Sequence, residues 1–305
     1  MNVQMNLVQS PEAVRSPHMV PTPVSADALV PPKAVSFIDR FREIVSDPLN
    51  LLIERHPLAG TVDADQMVTT HCGLKVPYAG AGSYYEDFSQ ILVINRGVHE
   101  PLEEFVFQEL IKKLPDNPSM LELGSYWSHY SMWMKLNRPG ASNVMVEPDR
   151  NGLKAGIENF RRNRLEGDFL HAMVGDGAFR VDDYLKDKPK LNLLHSDIQG
   201  YEVQMLGGAA QSLDQRKIDY LCISTHSEAL HREVLGRVES HGYRIEVESG
   251  ITAHTTAMDG LVFASSPGAE ALFGGFRSLG RSEIVTATPQ VLVEFVSKAL
   301  NRGPN

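Results

Sequence analysis

The sequence predicts an α/β fold with a mostly parallel sheet and helices on both faces. Three observations predict it. After Pro115, seven apolar runs alternate with amphipathic segments of helical length, which is typical of successive βαβ units. The segments between the runs carry apolar residues three and four positions apart, as helices do. The last two runs are joined only by polar, turn-rich residues, so they should pair antiparallel at one edge of the sheet.

Seven strands are predicted in this part of the chain. They are 119–124, 143–148, 168–175, 191–198, 218–225, 243–249 and 259–265. Residues 149–163 and 227–242 are predicted helices between them, because each places its apolar residues on one face. Residues 101–114 are a predicted helix that ends before Pro115, and Thr288 before Pro289 predicts the start of a last helix.

The region ahead of the sheet has a different character. Residues 1–33 hold six of the chain's 18 prolines without helical or strand periodicity, which predicts a flexible arm. Residues 34–47 carry an apolar stripe of Phe37, Phe41 and Ile44 or Val45, which predicts a helix.

Two short β-like runs follow that helix. They are 67–78 and 89–97, separated by a glycine-rich turn, and they indicate a cap or hairpin. The predicted organisation is a proline-rich arm (1–33), a helical and β cap segment (34–96), a catalytic α/β domain (97–266) and a C-terminal helical extension (267–305).

Composition limits the function classes. The 305-residue chain has a net charge of -9 and no long block of Lys and Arg, which argues against nucleic acid as the main partner. The N-terminus has no apolar segment after a basic start, and about 18 consecutive apolar residues occur nowhere, so we expect no membrane association and a cytoplasmic protein. Only Cys72 and Cys222 are present, which excludes a disulfide framework and a zinc knuckle. Whether the protein forms a homo-oligomer stays open.

The turn after the first strand of the domain is a candidate cofactor site. Glu122, Leu123, Gly124 and Ser125 end that strand, and an apolar helix follows Ser128. A small-residue turn at a helix N-terminus lets backbone amides approach a ligand. The second strand ends in Glu147, 25 positions after Glu122, where a carboxylate can accept both hydroxyls of an adenosine ribose.

This combination fits a nicotinamide dinucleotide or S-adenosylmethionine (SAM). A dinucleotide site requires three glycines so that the pyrophosphate lies against the backbone. In this turn only Gly124 is glycine. Glu122 would repel a pyrophosphate but suits the ammonium group of a methionine moiety. SAM is therefore favoured.

Polar residues also follow the fourth and fifth strands. His195 and Asp197 emerge from one run, and His226 follows the next. Because ligands bind outside the carboxyl ends of strands in an open α/β sheet, we expect these three side chains to approach one another at the rim of the cleft.

The segments that carry these residues resemble the FkbM family of methyltransferases. The resemblance rests on LELGSYWSHYS, VEPDRNGLKAGIENFRRN, VDDYL, HSDIQGYEVQMLGGA and ISTHSEAL, and covers most of 97–264, with GVHEP as the entry motif. It implies a Rossmann-like class I methyltransferase fold, with a mostly parallel seven-stranded sheet and an antiparallel edge strand. Two positions depart from the family pattern: Ser128 stands where a second glycine is usual, and Gln199 where an acidic residue is usual.

The resemblance implies transfer of a methyl group from SAM to an oxygen nucleophile, commonly a hydroxyl of a sugar or natural product (glycoside- or polyketide-like). A hydroxyl needs a base within hydrogen-bond reach. His226 is the first candidate and His195 the second, with Asp197 orienting a histidine, contacting the cofactor amine or binding the hydroxyl. The predicted cofactor-binding residues are Glu122, Gly124, Ser125, Tyr126, Ser128, Glu147, Pro148, Asp149, Asp176, Gly177 and Asp197.

Several interpretations stay open. No metal is predicted, although Asp197 and His226 match in position the magnesium ligands of macrocin-type sugar O-methyltransferases; a histidine-containing set suits a transition metal better. The small-molecule acceptor is expected to contact Tyr84, Tyr85, Glu86, Asp87, His99 and Glu100. Trp127, Tyr130 and Trp133 are predicted core residues. The alternatives are a non-catalytic binding module and, less favoured, a nicotinamide-dependent oxidoreductase.

Overall fold

A computed structural model describes residues 37–80, 82–84, 89–175, 177–252, 254–274 and 276–301, with side chains from Arg40 onward. The predicted arm, 1–33, lies outside the described residues. The strands are β1 (Met67–Thr69), β2 (Lys75–Pro77), β3 (Ser119–Leu123), β4 (Ser142–Glu147), β5 (Asp168–His171), β6 (Leu191–Ser196), β7 (Ile218–Thr225), β8 (Arg244–Ser249) and β9 (Gly260–Ser265). The helices are α1 (Phe37–Ser46), α2 (Gln90–Ile94), α3 (Pro101–Lys113), α4 (His129–Asn137), α5 (Arg150–Arg162), α6 (Val181–Leu185), α7 (Glu202–Gly207), α8 (Ala210–Asp214), α9 (Glu228–Ser240), α10 (Arg281–Thr286) and α11 (Pro289–Leu300).

The main sheet has seven strands in the order β5-β4-β3-β6-β7-β9-β8. Strands β3 to β7 pair in parallel, and the edge strand β8 pairs antiparallel with β9, as predicted. Strand β9 lies between β7 and β8 and is antiparallel to both. The start of β9 therefore lies at the edge of the sheet where the parallel strands end. Strand β3 lies between β4 and β6, so the strand order reverses direction at β3. Open α/β sheets bind ligands in the crevice at such a reversal.

Helices cover both faces of the sheet, which confirms the predicted α/β fold. All eight residues of β7 are buried, as expected for a central strand covered on both sides. One core layer contains Phe105 and Phe107 of α3 and Trp133 of α4, and the other contains Leu206 of α7 and Val234 of α9. Among the described residues, none of the helices combines the length and the apolar composition that crossing a bilayer would require.

Helix ends follow the capping residues of the sequence. Ser227 accepts a hydrogen bond from the Leu230 amide at the start of α9, and Thr288 accepts one from Val291 at the start of α11. Ile44 is buried and Val45 is exposed, so Ile44 completes the stripe of α1.

The segment before α3 contains one error of prediction. Residues 67–78 form the β1–β2 hairpin, but 89–97, predicted as a β-like run, contains the helix α2. The neighbours Ile91 and Leu92 are both fully buried, which one face of a helical turn allows and an alternating strand does not. The Asn95 amide donates to the Ile91 carbonyl oxygen at 2.8 Å and continues the helical pattern. A five-residue apolar run carries too little periodicity to distinguish the two structures.

Candidate active site

The turn between β3 and α4 depends on Gly124. This residue has φ +73°, and a Cβ there would lie 1.7 Å from the carbonyl oxygen of Asp197. The Asp197 amide donates to the Leu123 carbonyl oxygen at 2.9 Å, so the ends of β3 and β6 are held in contact. No other residue type fits at this position, because a side chain would displace the loop that carries Asp197.

Ser128 occupies the left-handed region, with φ +62°. This explains why glycine is usual there, since a side chain costs free energy in that conformation. The serine is accommodated because Gly156 of α5 faces it: a Cβ on Gly156 would lie 2.4 Å from Ser128 Oγ. Ser128 is buried and does not line the cavity described next.

A cavity of about 460 Å³ opens at the carboxyl ends of β3, β4 and β6. This is within the range of roughly 300–1,000 Å³ for small-molecule sites. The predicted cofactor residues that line it are Glu122, Gly124, Ser125, Tyr126, Glu147, Pro148 and Asp197. Asp149 is the N-cap of α5, and neither Asp149 nor Gly177 lines the cavity. Asp176 lies outside the described residues.

Glu147 is held at the end of β4 by two backbone amides. Its carboxylate accepts hydrogen bonds from the amides of Tyr126 and Asp149, both at 2.8 Å. Burial raises the pKa of Glu147, and these two hydrogen bonds act in the opposite direction. Each carboxylate oxygen keeps a further lone pair, so this position can accept the hydroxyls of a ribose.

Glu122 has the properties of a receptor for an ammonium group. It is 2% exposed, and its Oε2 has no hydrogen-bond partner among the described residues. Burial raises its pKa to about 7. A buried acceptor without a partner is costly, and a cationic ligand group in the cavity would satisfy it. The residues present therefore fit SAM.

A charged group lies where β6, β7 and β9 meet. Nε2 of His226 lies 3.0 Å from Asp197 Oδ1 and 3.5 Å from Asp259 Oδ1, and its Nδ1 lies 2.9 Å from Glu202 Oε1. Burial alone would lower the pKa of His226, but Asp197 and Glu202 raise it to about 10. Burial and the charge of Asp197 raise the pKa of Asp259 to about 7. We call Glu147, Asp197, His226 and Asp259 the strand-end wall.

Asp259 was not among the residues predicted from the sequence. It lines the cavity and immediately precedes β9. The signal was present, because an antiparallel strand starts at the edge where the parallel strands end. The residue before β9 therefore had to lie beside Asp197 and His226 if β9 paired with β7.

His195, predicted to approach Asp197 and His226 at the rim, lines the same cavity as Asp197, but its hydrogen-bond partner is Glu103. His195 is 2% exposed, and its Nε2 lies 2.6 Å from Oε1 of Glu103 on α3. Its Nδ1 lies 3.9 Å from Glu122 Oε1. Burial alone would lower the pKa of His195, but the hydrogen bond with Glu103 raises it. The ring belongs to β6 itself and points at a helix on one face of the sheet, whereas Asp197 and His226 follow the strand ends.

The opposite side of the cavity is aromatic and acidic. The predicted acceptor contacts Tyr84, His99 and Glu100 line it, and Tyr85, Glu86 and Asp87 lie outside the described residues. Trp127 and Tyr130, predicted as core, are buried and line the cavity as well, and Trp133 is buried in the core only.

Glu100 accepts a hydrogen bond from the Tyr130 hydroxyl at 2.9 Å. Burial and the charge of Glu103 raise the pKa of Glu100 well above its usual range.

Residues 163–245 match the family model of the methyltransferase FkbM domain. Over these residues the chain is similar to the FkbM methyltransferases. The match contains Asp197 and His226 at the ends of β6 and β7, and it confirms the resemblance drawn from the motifs. It supports a SAM-dependent methyltransferase.

Solved methyltransferase structures are similar to this chain at low sequence identity and low TM-score. The precorrin-6y C5,15-methyltransferase of Geobacter metallireducens is 15% identical with a TM-score of 0.41, over 54% of this chain and 88% of that chain. TrmK of M. capricolum, in complex with S-adenosyl-homocysteine, is 14% identical with a TM-score of 0.39, over 66% and 88%. Fibrillarin of Aeropyrum pernix, with S-adenosyl-L-methionine, is 12% identical with a TM-score of 0.36, over 52% and 74%. Similarity this low carries no argument about substrate. None of the curated proteins matches this chain.

Proposed function

We propose that the protein is a SAM-dependent O-methyltransferase that acts on a hydroxyl of a sugar or natural-product acceptor, of glycoside or polyketide type. The observation that carries this proposal is the group of Asp197, His226 and Asp259 beside the turn of Gly124. It joins a proton acceptor and hydrogen-bonding carboxylates to a cofactor-sized cavity.

The cofactor would be held by two carboxylates, Glu122 of β3 and Glu147 at the end of β4. Glu147 accepts the ribose hydroxyls, and Glu122 receives the ammonium group through its unpartnered Oε2. When bound, SAM supplies an electrophilic methyl group on a sulfonium. The chain's own contribution is to orient the acceptor hydroxyl towards that methyl and to remove its proton.

The lining of the cavity supports a neutral, hydroxyl-bearing acceptor. Carboxyl groups of Glu100, Asp197 and Asp259 face it, and no lysine or arginine of the described chain lines it. An anionic acceptor such as a phosphate would be repelled. The rings of Tyr84, Trp127 and Tyr130 offer apolar faces for a sugar or polyketide skeleton.

The pKa values suggest a division of roles between His226 and Asp259. With a pKa of about 10, His226 is protonated at neutral pH and is unable to accept a proton, so it orients Asp197. Asp259, with a pKa of about 7, is poised to accept the hydroxyl proton. We therefore favour Asp259 as the base over His226, the candidate predicted from the sequence.

Isothermal titration of the purified protein with SAM and S-adenosylhomocysteine tests the cofactor assignment. We expect saturable binding that Glu147→Ala weakens by about 10- to 100-fold, because hydrogen bonds to a carboxylate are lost. Glu158→Ala, at a partly exposed position on α5 that does not line the cavity, is the matched control and should bind normally. No binding by the folded wild-type protein would overturn the enzyme proposal and favour the non-catalytic module.

Mass-spectrometric detection of methylated sugars and polyketide alcohols then tests the acceptor class. Asp259→Asn should lose turnover while SAM binding is kept, whereas His226→Gln should keep part of it. Full turnover in Asp259→Asn together with complete loss in His226→Gln would return the base role to His226. Methylation of amines or carbon acids alone would overturn the O-directed proposal.

A further inference from the structure

A second cluster of polar side chains lies fully buried beside the cavity. It consists of His71 from the turn of the β1–β2 hairpin, His99 ahead of α3, Glu104 of α3 and His129 at the start of α4. None of the four is more than 3% exposed. His99 and His129 also line the cavity, together with Glu147, Asp197 and Asp259 of the strand-end wall. We call these four residues the cap wall.

Glu104 is the centre of the cap wall. Its Oε2 lies 3.1 Å from His71 Nδ1, and its Oε1 lies 2.5 Å from His99 Nδ1 and 3.9 Å from His129 Nε2. One ligating atom from each of His71, Glu104 and His129 can be chosen so that all three lie within 4.8 Å of one another. Three imidazoles thus surround one carboxylate.

The hydrogen bonding of the cluster is incomplete. Nε2 of His71 and both ring nitrogens of His129 are buried without a hydrogen-bond partner among the described residues. Buried polar atoms are nearly always satisfied, because an unsatisfied one costs about 1–3 kcal/mol. Several such atoms around one carboxylate therefore point to a ligand that accepts lone pairs.

Two of the three rings are also held by contacts from outside the cluster. Nδ1 of His71 lies 3.2 Å from the carbonyl oxygen of Gly97, and the ring of His129 stacks on Trp127 at 5.0 Å between centroids. If Nδ1 of His71 donates to this carbonyl, the other ring nitrogen, the unpartnered Nε2, is the one that would bind a metal. The cluster is thus rigid before any ligand binds.

We propose that the cap wall binds a divalent transition metal, with His71, Glu104 and His129 as ligands and His99 available as a fourth. Imidazole and carboxylate together suit zinc or iron(II), whereas magnesium prefers oxygen ligands alone. Bonds of about 2.0–2.2 Å put neighbouring ligand atoms roughly 3.3 Å apart in a tetrahedral site. The three histidines lie 2.5–3.9 Å from the Glu104 oxygens, a range that includes this value.

A metal here would join parts of the chain that are far apart in sequence. The hairpin contributes His71, and α3 and α4 contribute Glu104 and His129. The metal would fix the hairpin against these helices and keep that side of the cavity rigid. It is independent of the proposed methyl transfer, so the two proposals can fail separately.

Metal analysis of the purified protein is the first test. After loading with Zn²⁺ and dialysis, we expect about one equivalent per chain by plasma mass spectrometry, and a lower melting temperature after chelation. Glu104→Gln and His129→Gln should each reduce the affinity by about tenfold or more. His231→Gln is the matched control: this buried histidine of α9 contacts Thr225 at 2.9 Å, outside the cluster, and its loss should leave the metal bound.

The described residues contain two other groups that could hold a metal, and they differ in ligand type. Asp197, His226 and Asp259 offer one imidazole, and Glu103, His195 and Cys222 offer one imidazole and a thiolate. X-ray absorption of the zinc-loaded wild-type protein separates them without relying on variants that could misfold. Two or three imidazoles without sulfur would support the cap wall.

Three results would overturn the proposal. These are a single imidazole, a zinc–sulfur distance near 2.3 Å, or no uptake of zinc, iron(II), cobalt or manganese by the folded wild-type protein. Loss of the metal in His226→Gln with retention in Glu104→Gln would also move the site to the strand-end wall.

Discussion

The two walls of the cavity handle buried charge differently. In the strand-end wall, the side chains of Asp197, Asp259 and His226 are 29%, 20% and 14% exposed, and opposite charges face each other. The four side chains of the cap wall are almost fully buried, and three histidines share one carboxylate. Groups that reach water can titrate and exchange partners during a reaction, whereas sealed groups are suited to holding a structure in place.

Both walls depend on a glycine with no room for a side chain. A Cβ on Gly124 would lie 1.7 Å from the Asp197 carbonyl oxygen, and one on Gly97 would lie 2.0 Å from the His71 amide nitrogen. We expect Gly124→Ala and Gly97→Ala each to lower the free energy of unfolding by about 3 kcal/mol or more, measured by chemical denaturation. SAM binding should be lost in the Gly124 variant only.

Gly177→Ala is the control for this pair. Gly177 has φ +74°, almost the same as Gly124, but its Cβ would meet nothing within 4 Å. Gly177→Ala should lower the free energy of unfolding by about 1 kcal/mol, from backbone conformation alone. Equal losses at Gly124 and Gly177 would show that the close contact has no effect.

His195 should behave like the buried residues of the cap wall, although it lies only two positions before Asp197 of the strand-end wall. Its buried pair with Glu103 spans 2.6 Å, and Ser224 Oγ donates to the other carboxylate oxygen of Glu103 at 2.9 Å. We expect His195→Ala to cost about 3 kcal/mol of unfolding free energy, since a buried carboxylate loses its partner. SAM affinity, measured by titration, should change little. Unchanged stability with lost turnover would instead assign His195 to the chemistry.

The strand-end wall should make stability depend on pH. His226 has a folded pKa of about 10 against 6.5 for the ordinary group, so its contribution is complete below about pH 6.5 and is lost as the pH rises towards 10. We expect a loss of about 1–2 kcal/mol between these limits, after allowance for partial solvent screening. Thermal unfolding of wild type and His226→Gln across this range measures it.

Substitution of Ser128 should have the smallest effect on stability. Its φ of +62° favours glycine, and its buried Oγ has no hydrogen-bond partner among the described residues. Ser128→Gly should therefore stabilise the protein by up to about 1 kcal/mol. Gly156→Ala should destabilise it, and less so in the Ser128→Gly background, because the Oγ that its Cβ would meet at 2.4 Å is gone. Additive effects in the double variant would rule out this contact.

The sequence by itself determined the seven strands of the main sheet, the antiparallel pairing of the last two, several of the helices and the polar residues at the ends of β4, β6 and β7. It could do so because these features are local: periodicity marks each strand and helix, and parallel strands bring their carboxyl ends to one edge. Glu122, Glu147, Asp197 and His226 were predicted for this reason, and each lies at or directly behind that edge.

Only the tertiary structure decided the rest. The run 89–97 contains a helix because burial of Ile91 and Leu92 overrides an ambiguous pattern. His195 turns to Glu103, 92 positions away, and Asp259 joins the site through the pairing of β9 with β7. The cap wall assembles from separate segments between His71 and His129 that share no periodicity. Contacts of this kind are set by how layers pack, and a linear pattern contains no information about which distant side chains will meet.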